Sequence, residues 1–145
     1  MGIGFTEQHC ADLLEDVSRR IKNLVDCQAS YKHVYRSLEN NGITVTHFVG
    51  DDPVCSWCIS AMPGSDAVVV FHDVYVLRMY HNLGIGALTH DLRLKISQRE
   101  GARMSMCTVN TSNINELKII KKFGWDRTTS YSGFDGVVDV YFKHL

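Results

Sequence analysis

The sequence lacks the features that mark three common classes of protein. Its 145 residues carry a formal net charge of −1, so the excess of lysine and arginine typical of nucleic-acid-binding domains is missing. No apolar run reaches the roughly 18–20 residues that cross a bilayer. The start, MGIGFTEQHC, lacks the basic region and apolar core of a secretory signal. We therefore expect a cytoplasmic protein that binds neither nucleic acid nor membrane.

The cysteines lack the arrangement of a structural metal site. Five are present, and Cys55 and Cys58 show the C-x-x-C spacing. A structural zinc site needs a second pair of ligands at similar spacing, and the seven histidines supply none. The neighbouring Val54, Trp57 and Ile59 indicate a strand, in which a separation of three puts the two sulfur atoms on opposite faces. The sequence therefore predicts buried free thiols and no metal.

Proline is scarce as well: only Pro53 and Pro63 interrupt the chain. The length predicts a single domain spanning residues 1–145. Apolar spacing predicts helices over residues 6–26, 28–40, 84–100 and 113–123. Alternation and β-branched runs predict strands over residues 43–49, 54–61, 67–76, 104–109, 127–131 and 137–142. The resulting order, α-α-β-β-β-α-β-α-β-β, predicts the α/β fold class with a mixed sheet.

The stretch HNLGIGAL, residues 81–88, stands where a buried strand gives way to a helix. Its glycines allow close approach of the backbone to a ligand, and the N–H groups of a first helical turn bind anions such as a diphosphate. A Rossmann fingerprint would need glycine at position 89, where Thr89 stands, and no Gly-Lys-Ser/Thr follows as in a P-loop. Spacing alone leaves a phosphate site and a plain turn at the helix start both open.

Residues 68–125 resemble the acetyl-CoA-binding core of the GNAT superfamily of N-acetyltransferases. Members typically carry a strand ending in V-x-P-x-x-[RQ]-x-x-G-x-[GA], a helix, a strand, an asparagine and a second helix ending in LYEKxGF. This chain has VLRMYHNLGIG at 76–86 and VNTSNINELKIIKKFGW at 109–125. The resemblance implies a GNAT-like acyl-CoA N-acyltransferase fold, and the predicted α-α-β-β-β start also agrees with the family's order.

The resemblance implies that acetyl-CoA binds as co-substrate at the residues matching these motifs. The backbone of Val74, Tyr75 and Val76 would pair with the pantetheine arm like an extra strand, in a slot where the strand 67–76 splays from the strand 103–109. Asn113 would contact the cofactor or cap the following helix, and both roles stay open. The pyrophosphate loop would comprise His81, Asn82, Leu83, Gly84, Ile85, Gly86 and Ala87.

The chain departs from the family pattern in the loop and at the catalytic positions. His81 replaces the arginine or glutamine, Asn82 replaces a glycine and Arg78 replaces the proline. The tyrosine that often protonates the departing CoA thiolate corresponds to Ile120, and the glutamate used by some members corresponds to Thr108. The family's usual acid and base therefore do not transfer to this chain.

We predict His72 as the base that takes a proton from the acceptor amine. It lies two residues before Val74, on the strand face where certain arylalkylamine-acetylating relatives place a histidine, and imidazoles titrate close to neutral pH. A hydrogen-bonded structural histidine is the alternative interpretation. Alternation puts Asp73 on the opposite face, where it would be structural or orienting. Tyr131, on the tail hairpin, is the candidate acid.

The leading hypothesis is transfer of an acetyl group from acetyl-CoA to an amine of a protein or small molecule. The amine would attack directly in a ternary complex, and homodimer formation stays open. The alternative is a catalytically degenerate GNAT-fold protein, for example phage-encoded, with a binding or structural role. The glycines and Asn113 favour a cofactor site, whereas Ile120 and Thr108 favour the alternative. No recognisable motif identifies the acceptor.

Overall fold

The computed structural model describes residues 2–39 and 41–145, which form a seven-stranded mixed sheet and three α-helices. The helices are α1 (Glu7–Val25), α2 (Ile85–Arg99) and α3 (Ile114–Lys122). The strands are β1 (Tyr31–Leu38), β2 (Gly42–Val49), β3 (Asp52–Ala61), β4 (Val68–Val76), β5 (Met104–Asn110), β6 (Asp126–Gly133) and β7 (Gly136–His144). The sheet order is β1-β2-β3-β4-β5-β7-β6, with β4 and β5 parallel and the other neighbours antiparallel. The predicted α/β class with a mixed sheet is confirmed.

The second predicted helix, over residues 28–40, is wrong. The structure has the strand β1 there, so the chain begins α-β-β-β-β. Half-buried and exposed side chains alternate along the first six residues of β1, and the whole strand pairs antiparallel with β2. This long-range pairing outweighs the local helical spacing that the prediction used. Asn40, the last residue of the predicted helix, lies outside the described residues.

The helices lie on one face of the sheet. α1 begins after Thr6, as predicted, because the Thr6 side chain accepts a hydrogen bond from the His9 N–H. The apolar stripe of α1 is buried against β1 and β2, and α2 packs on β3 and β4 between α1 and α3. Val45 and Trp57 on this face are fully buried. Among the described residues, no helix is both long and apolar enough to cross a bilayer. All five cysteines are free thiols, and Cys55 and Cys58 are buried, as predicted.

β4 and β5 separate soon after they meet, which opens a slot in the sheet. They pair at three positions, Val68–Val70 with Met104–Met106. Further along, β4 carries a bulge in which Asp73 and Val74 lie opposite the single residue Trp57 of β3. Asp73 adopts a φ of 50°, in the left-handed region, and such a bulge bends the strand away from its neighbour. The predicted splay between the two strands is present.

Candidate active site

A groove of about 500 Å³ lies between the end of β4, the loop before α2, and α3. The lining contains every predicted cofactor residue except Leu83, whose side chain is exposed. These residues are Val74, Tyr75, Val76, His81, Asn82, Gly84, Ile85, Gly86, Ala87 and Asn113. The strand end, the glycine loop and the asparagine therefore meet at one surface, although about forty residues of sequence separate the first from the last.

The loop delivers the first turn of α2 to this groove. Gly84 has a φ of 84° and caps the helix, and the first helical hydrogen bond runs from the Leu88 N–H to the Gly84 carbonyl. The N–H groups of Ile85, Gly86 and Ala87 therefore have no acceptor within the helix. Such groups carry the partial positive charge of the helix N-terminus, and they can bind an anion.

Neighbouring side chains fix the shape of the loop. His81 donates its Nε2–H to the Val76 carbonyl at 2.7 Å and so ties the loop to the end of β4. A Cβ at Gly86 would lie 3.0 Å from the Ile119 Cδ1 of α3. Glycine at 86 therefore permits the close approach of α2 and α3. Arg78 also lines the groove and adds a positive charge to it.

A smaller cavity of about 110 Å³, the slot between β4 and β5, adjoins the groove. The two cavities are adjacent because Val74, Asn113 and Glu116 line both of them. The Asn113 Oδ1 accepts a hydrogen bond from the Glu116 N–H at 3.2 Å. Asn113 thus caps α3, the second of the two roles that the sequence left open.

His72 borders the slot from the sheet face opposite the helices. It pairs with Cys58 of β3, whereas its neighbour Phe71 contacts His90 of α2 on the helix side. The Nδ1 of His72 lies 2.7 Å from the Asp73 Oδ2, and the Nε2 lies 2.7 Å from the Ser60 Oγ. The carboxylate accepts the Nδ1–H, which leaves Nε2 as the acceptor of the Ser60 hydroxyl proton.

The expectation that Asp73 points away from His72 is wrong. The bulge interrupts the alternation of β4, and the φ of 50° at Asp73 turns its carboxylate toward the imidazole. Sequence reasoning also missed Ser60, because its contact with His72 depends on the register between β3 and β4. The sequence feature that could have indicated Ser60 is the alternation of side chains along β3, which puts Ser60 on the same face as Cys58.

No family model matches the sequence, and no curated protein does. Solved structures do match it. A GNAT acetyltransferase from Streptococcus pneumoniae superposes with a TM-score of 0.65 at 16% identity, covering 98% of this chain and 96% of that one. The chain has the fold of the GNAT acetyltransferases.

Two further GNAT-fold structures contain ligands. A GNAT family acetyltransferase from Elizabethkingia anophelis, with acetyl-CoA bound, gives a TM-score of 0.64 at 11% identity over 79% of this chain and 98% of that one. Arabidopsis thaliana Naa50, in complex with the bisubstrate analogue CoA-Ac-MVNAL, gives 0.62 at 22% identity over 70% and 72%. At such identities the likeness extends to the GNAT fold alone, so the chemistry must be argued from this chain's own side chains.

The predicted acid Tyr131, and the two positions that match the family's usual tyrosine and glutamate, add no catalytic group to the slot. Tyr131 is on β6 with about half of its surface exposed (51%), and it lines neither the groove nor the slot. Ile120 is buried in the core at 2% exposure. Thr108 lines the slot but carries no carboxylate. His72, hydrogen-bonded to Asp73 and Ser60, is thus the slot histidine on the sheet face opposite the helices, whereas His90 lies on the helix side.

Cys58, His72 and Asp73 also bring three potential metal ligands within 4.8 Å of one another. Both ring nitrogens of His72 are already hydrogen-bonded, to Asp73 and Ser60. Burial raises the pKa of the Cys58 thiol, which disfavours the thiolate that binds metals. We therefore interpret Cys58 and Asp73 as structural neighbours of His72 and not as metal ligands.

Proposed function

We propose that this chain is a cytoplasmic acetyl-CoA-dependent N-acetyltransferase that transfers the acetyl group to an amine of a protein or small molecule. The observation that carries the proposal is the adjacency of the groove and the slot, which share three lining residues, with His72 held by Asp73 at the far side of the slot. The peptide analogue bound to Arabidopsis Naa50 supports including a peptide amine among the acceptors.

The groove has the chemistry that a CoA thioester requires. Its volume of about 500 Å³ falls within the usual range for ligand pockets. The N–H groups at the start of α2 and the Arg78 side chain suit the pyrophosphate. Beyond Val70, β4 has no β5 partner among the described residues, so that edge can pair with the amides of the pantetheine arm. The thioester would then lie in the slot.

In this arrangement the acceptor amine approaches from the sheet face that carries His72. The amine nitrogen attacks the thioester carbonyl carbon, and a backbone N–H near the bulge of β4 stabilises the oxyanion. Before this attack, His72 takes one proton from the acceptor ammonium at its Nε2, the site to which Ser60 donates. The carbon–sulfur bond then breaks, and CoA leaves as the thiol. Tyr131 stays a prediction as the acid that protonates this thiolate, since it lies outside both cavities.

Binding calorimetry tests the cofactor site. Acetyl-CoA should bind the intact chain, and Gly86→Glu should abolish binding, because the new side chain meets Ile119 and places a negative charge at the pyrophosphate loop. Gly4→Glu is the control, since a Cβ there meets no atom within 4 Å. Absence of binding to the unmodified chain at saturating acetyl-CoA contradicts the proposal.

A thiol-release assay over a panel of amines, peptides included, tests the chemistry. His72→Ala should lower turnover by about a hundredfold or more, the usual contribution of a general base. Asp73→Asn should lower it as well, and the exposed His144→Ala should leave it unchanged. Binding without any turnover would favour the degenerate GNAT-fold alternative. Ile120, which stands in place of the family's usual tyrosine, favours the same alternative. Unchanged turnover in His72→Ala would remove His72 as the base.

A further inference from the structure

The helix side of the slot contains a buried arginine. Arg93 is 2% exposed, lines the slot, and lies on α2 two turns after the glycine loop. The guanidinium carbon stands 4.8 Å from the centre of the Phe71 ring, which fixes the group between the sheet and the helix. A buried guanidinium requires acceptors for its N–H groups or an anion close by.

The one side chain within hydrogen-bond distance of Arg93, among residues 2–39 and 41–145, is His90, and it is the wrong partner. Trp125 donates its indole N–H to the Nε2 of His90 at 2.9 Å, so the neutral imidazole carries its own hydrogen on Nδ1. The Nη2 of Arg93 lies 3.4 Å from that Nδ1. Burial lowers the pKa of His90 to about 3, which keeps the ring neutral. Two N–H donors therefore converge with no acceptor between them.

A second buried histidine in the same chain shows what a satisfied arrangement looks like. Trp57 donates its indole N–H to the Nε2 of His47 at 3.0 Å, just as Trp125 does to His90. The Nδ1 of His47 then lies 2.9 Å from the hydroxyl of Ser18, an oxygen that can accept. At His90 the guanidinium of Arg93 stands next to Nδ1 in place of this hydroxyl, and a guanidinium can only donate.

No anion among the described residues neutralises Arg93 at close range. Its Nε is buried without a hydrogen-bond partner, and no described carboxylate lies within ion-pair distance. Burial raises the pKa of Cys107 to about 12, so this thiol is neutral. Glu116 acts on Arg93 from a longer distance, across the slot. Burial lowers the pKa of Arg93 to about 10, which leaves it charged at neutral pH.

We propose that Arg93 and the Nδ1–H of His90 bind a carboxylate at the end of the donor's acyl group, so that the chain prefers a CoA thioester of a short dicarboxylic acid to acetyl-CoA. The proposal rests on the proposed function, because the groove must first hold CoA. The carboxylate belongs to the donor because Arg93 and the groove share the helix side of the sheet, whereas His72 faces the other side. A cavity of about 150 Å³ holds benzene, so the 110 Å³ slot fits a three- or four-carbon acyl group.

The transfer follows the same course as with an acetyl group. His72 takes one proton from the acceptor ammonium and passes it to solvent. The neutral amine nitrogen then bonds to the thioester carbonyl carbon, the carbon–sulfur bond breaks, and the second proton that the nitrogen loses on forming the amide leaves with CoA as the thiol. The product is an amide that ends in a carboxylate, so the acceptor exchanges a positive charge for a negative one.

Calorimetry with four thioesters tests the proposal: acetyl-CoA, malonyl-CoA, succinyl-CoA and butyryl-CoA. Butyryl-CoA is the apolar match of succinyl-CoA in chain length. Malonyl-CoA or succinyl-CoA should bind the unmodified chain about tenfold or more tightly than butyryl-CoA, as expected for charge-assisted hydrogen bonds in a buried site. Arg93→Met should remove this preference while retaining acetyl-CoA binding, and the exposed Arg103→Met should change nothing.

Glu116→Gln provides a second variant in case Arg93→Met does not fold. Glu116 is the competing anion, so its loss should increase the preference for the carboxylated donors. If neither malonyl-CoA nor succinyl-CoA binds the unmodified chain more tightly than butyryl-CoA, the proposal is overturned and acetyl transfer is left intact. Failure of all four thioesters to bind overturns the proposed function itself.

Discussion

Lowering the pH from 7 to 5 is expected to weaken the fold through its two buried histidines. His47 and His90 are each 1% exposed, and each accepts an indole N–H at Nε2, from Trp57 and Trp125 respectively. Protonation of either Nε2 would put two donors face to face and place a charge in the core. Burial accordingly lowers both pKa values from 6.5 to about 3. The folded chain therefore stays unprotonated at both rings over this range.

The sign and size of the effect follow from proton linkage. As pH falls below 6.5, the unfolded chain takes up protons at these two sites and the folded chain does not, so the free energy of unfolding decreases. At 1.36 kcal/mol per pH unit, the loss between pH 7 and 5 is about 2 kcal/mol for each histidine, or about 4 kcal/mol together. Glu116 works in the opposite direction, because burial raises its pKa.

Urea unfolding followed by tryptophan fluorescence at pH 7, 6 and 5 measures this loss. His47→Gln should remove about half of it, since an amide can accept from Trp57 and donate to Ser18 without titrating. His144→Gln, an exposed position, should keep the full loss. A free energy of unfolding that does not change between pH 7 and 5, or a His47→Gln variant with the whole loss, would refute the neutral, indole-bonded state of these rings.

Two substitutions probe the loop and helix starts of the candidate site. Gly84→Ala should destabilise the fold by about 1 kcal/mol, or about 2–4 °C in Tm, purely through its φ of 84°, since no atom lies near the added Cβ. Gly4→Ala, which is also open to space, should cost nothing, and an equal loss there would contradict this cause. Asn113→Ala should cost about 1 kcal/mol in urea unfolding by removing the cap of α3, and Asn113→Asp should restore it. Equal stability of the two Asn113 variants would show that the cap contributes nothing.

The elements with a clear local period were predictable from the sequence. The apolar stripe of α1 and its cap at Thr6 are local features, and so is the glycine at the start of α2. β1 was not predicted, because a half-exposed edge strand carries a weak apolar pattern that also fits a helix. Its conformation is decided by pairing with β2, a contact between separate segments of the chain.

The candidate site likewise has features that the sequence predicts locally and features that depend on long-range contacts. The glycine loop and Asn113 have fixed spacing along the chain, and the structure puts them in the lining of one groove. The turn of Asp73 toward His72 depends on a bulge, which is set by how β3 and β4 pair. The unpaired state of Arg93 depends on Trp125 orienting His90, a contact across 35 residues of sequence. Periodicity carries no information about either contact.

The short pairing of β4 with β5 also bears on the stiffness of the molecule. One half of the sheet, β1 to β4, meets the other half, β5 to β7, along three residue pairs. A thioester whose pantetheine arm runs along the unpaired edge of β4 would add hydrogen bonds at the junction where the sheet has the fewest residue pairs. On the proposed function, the ligand would complete the sheet, and the free energy of unfolding would rise with its concentration, as for any molecule that binds the folded state alone. The proposed acyl donor would thus also serve, while bound, as a strand of the fold.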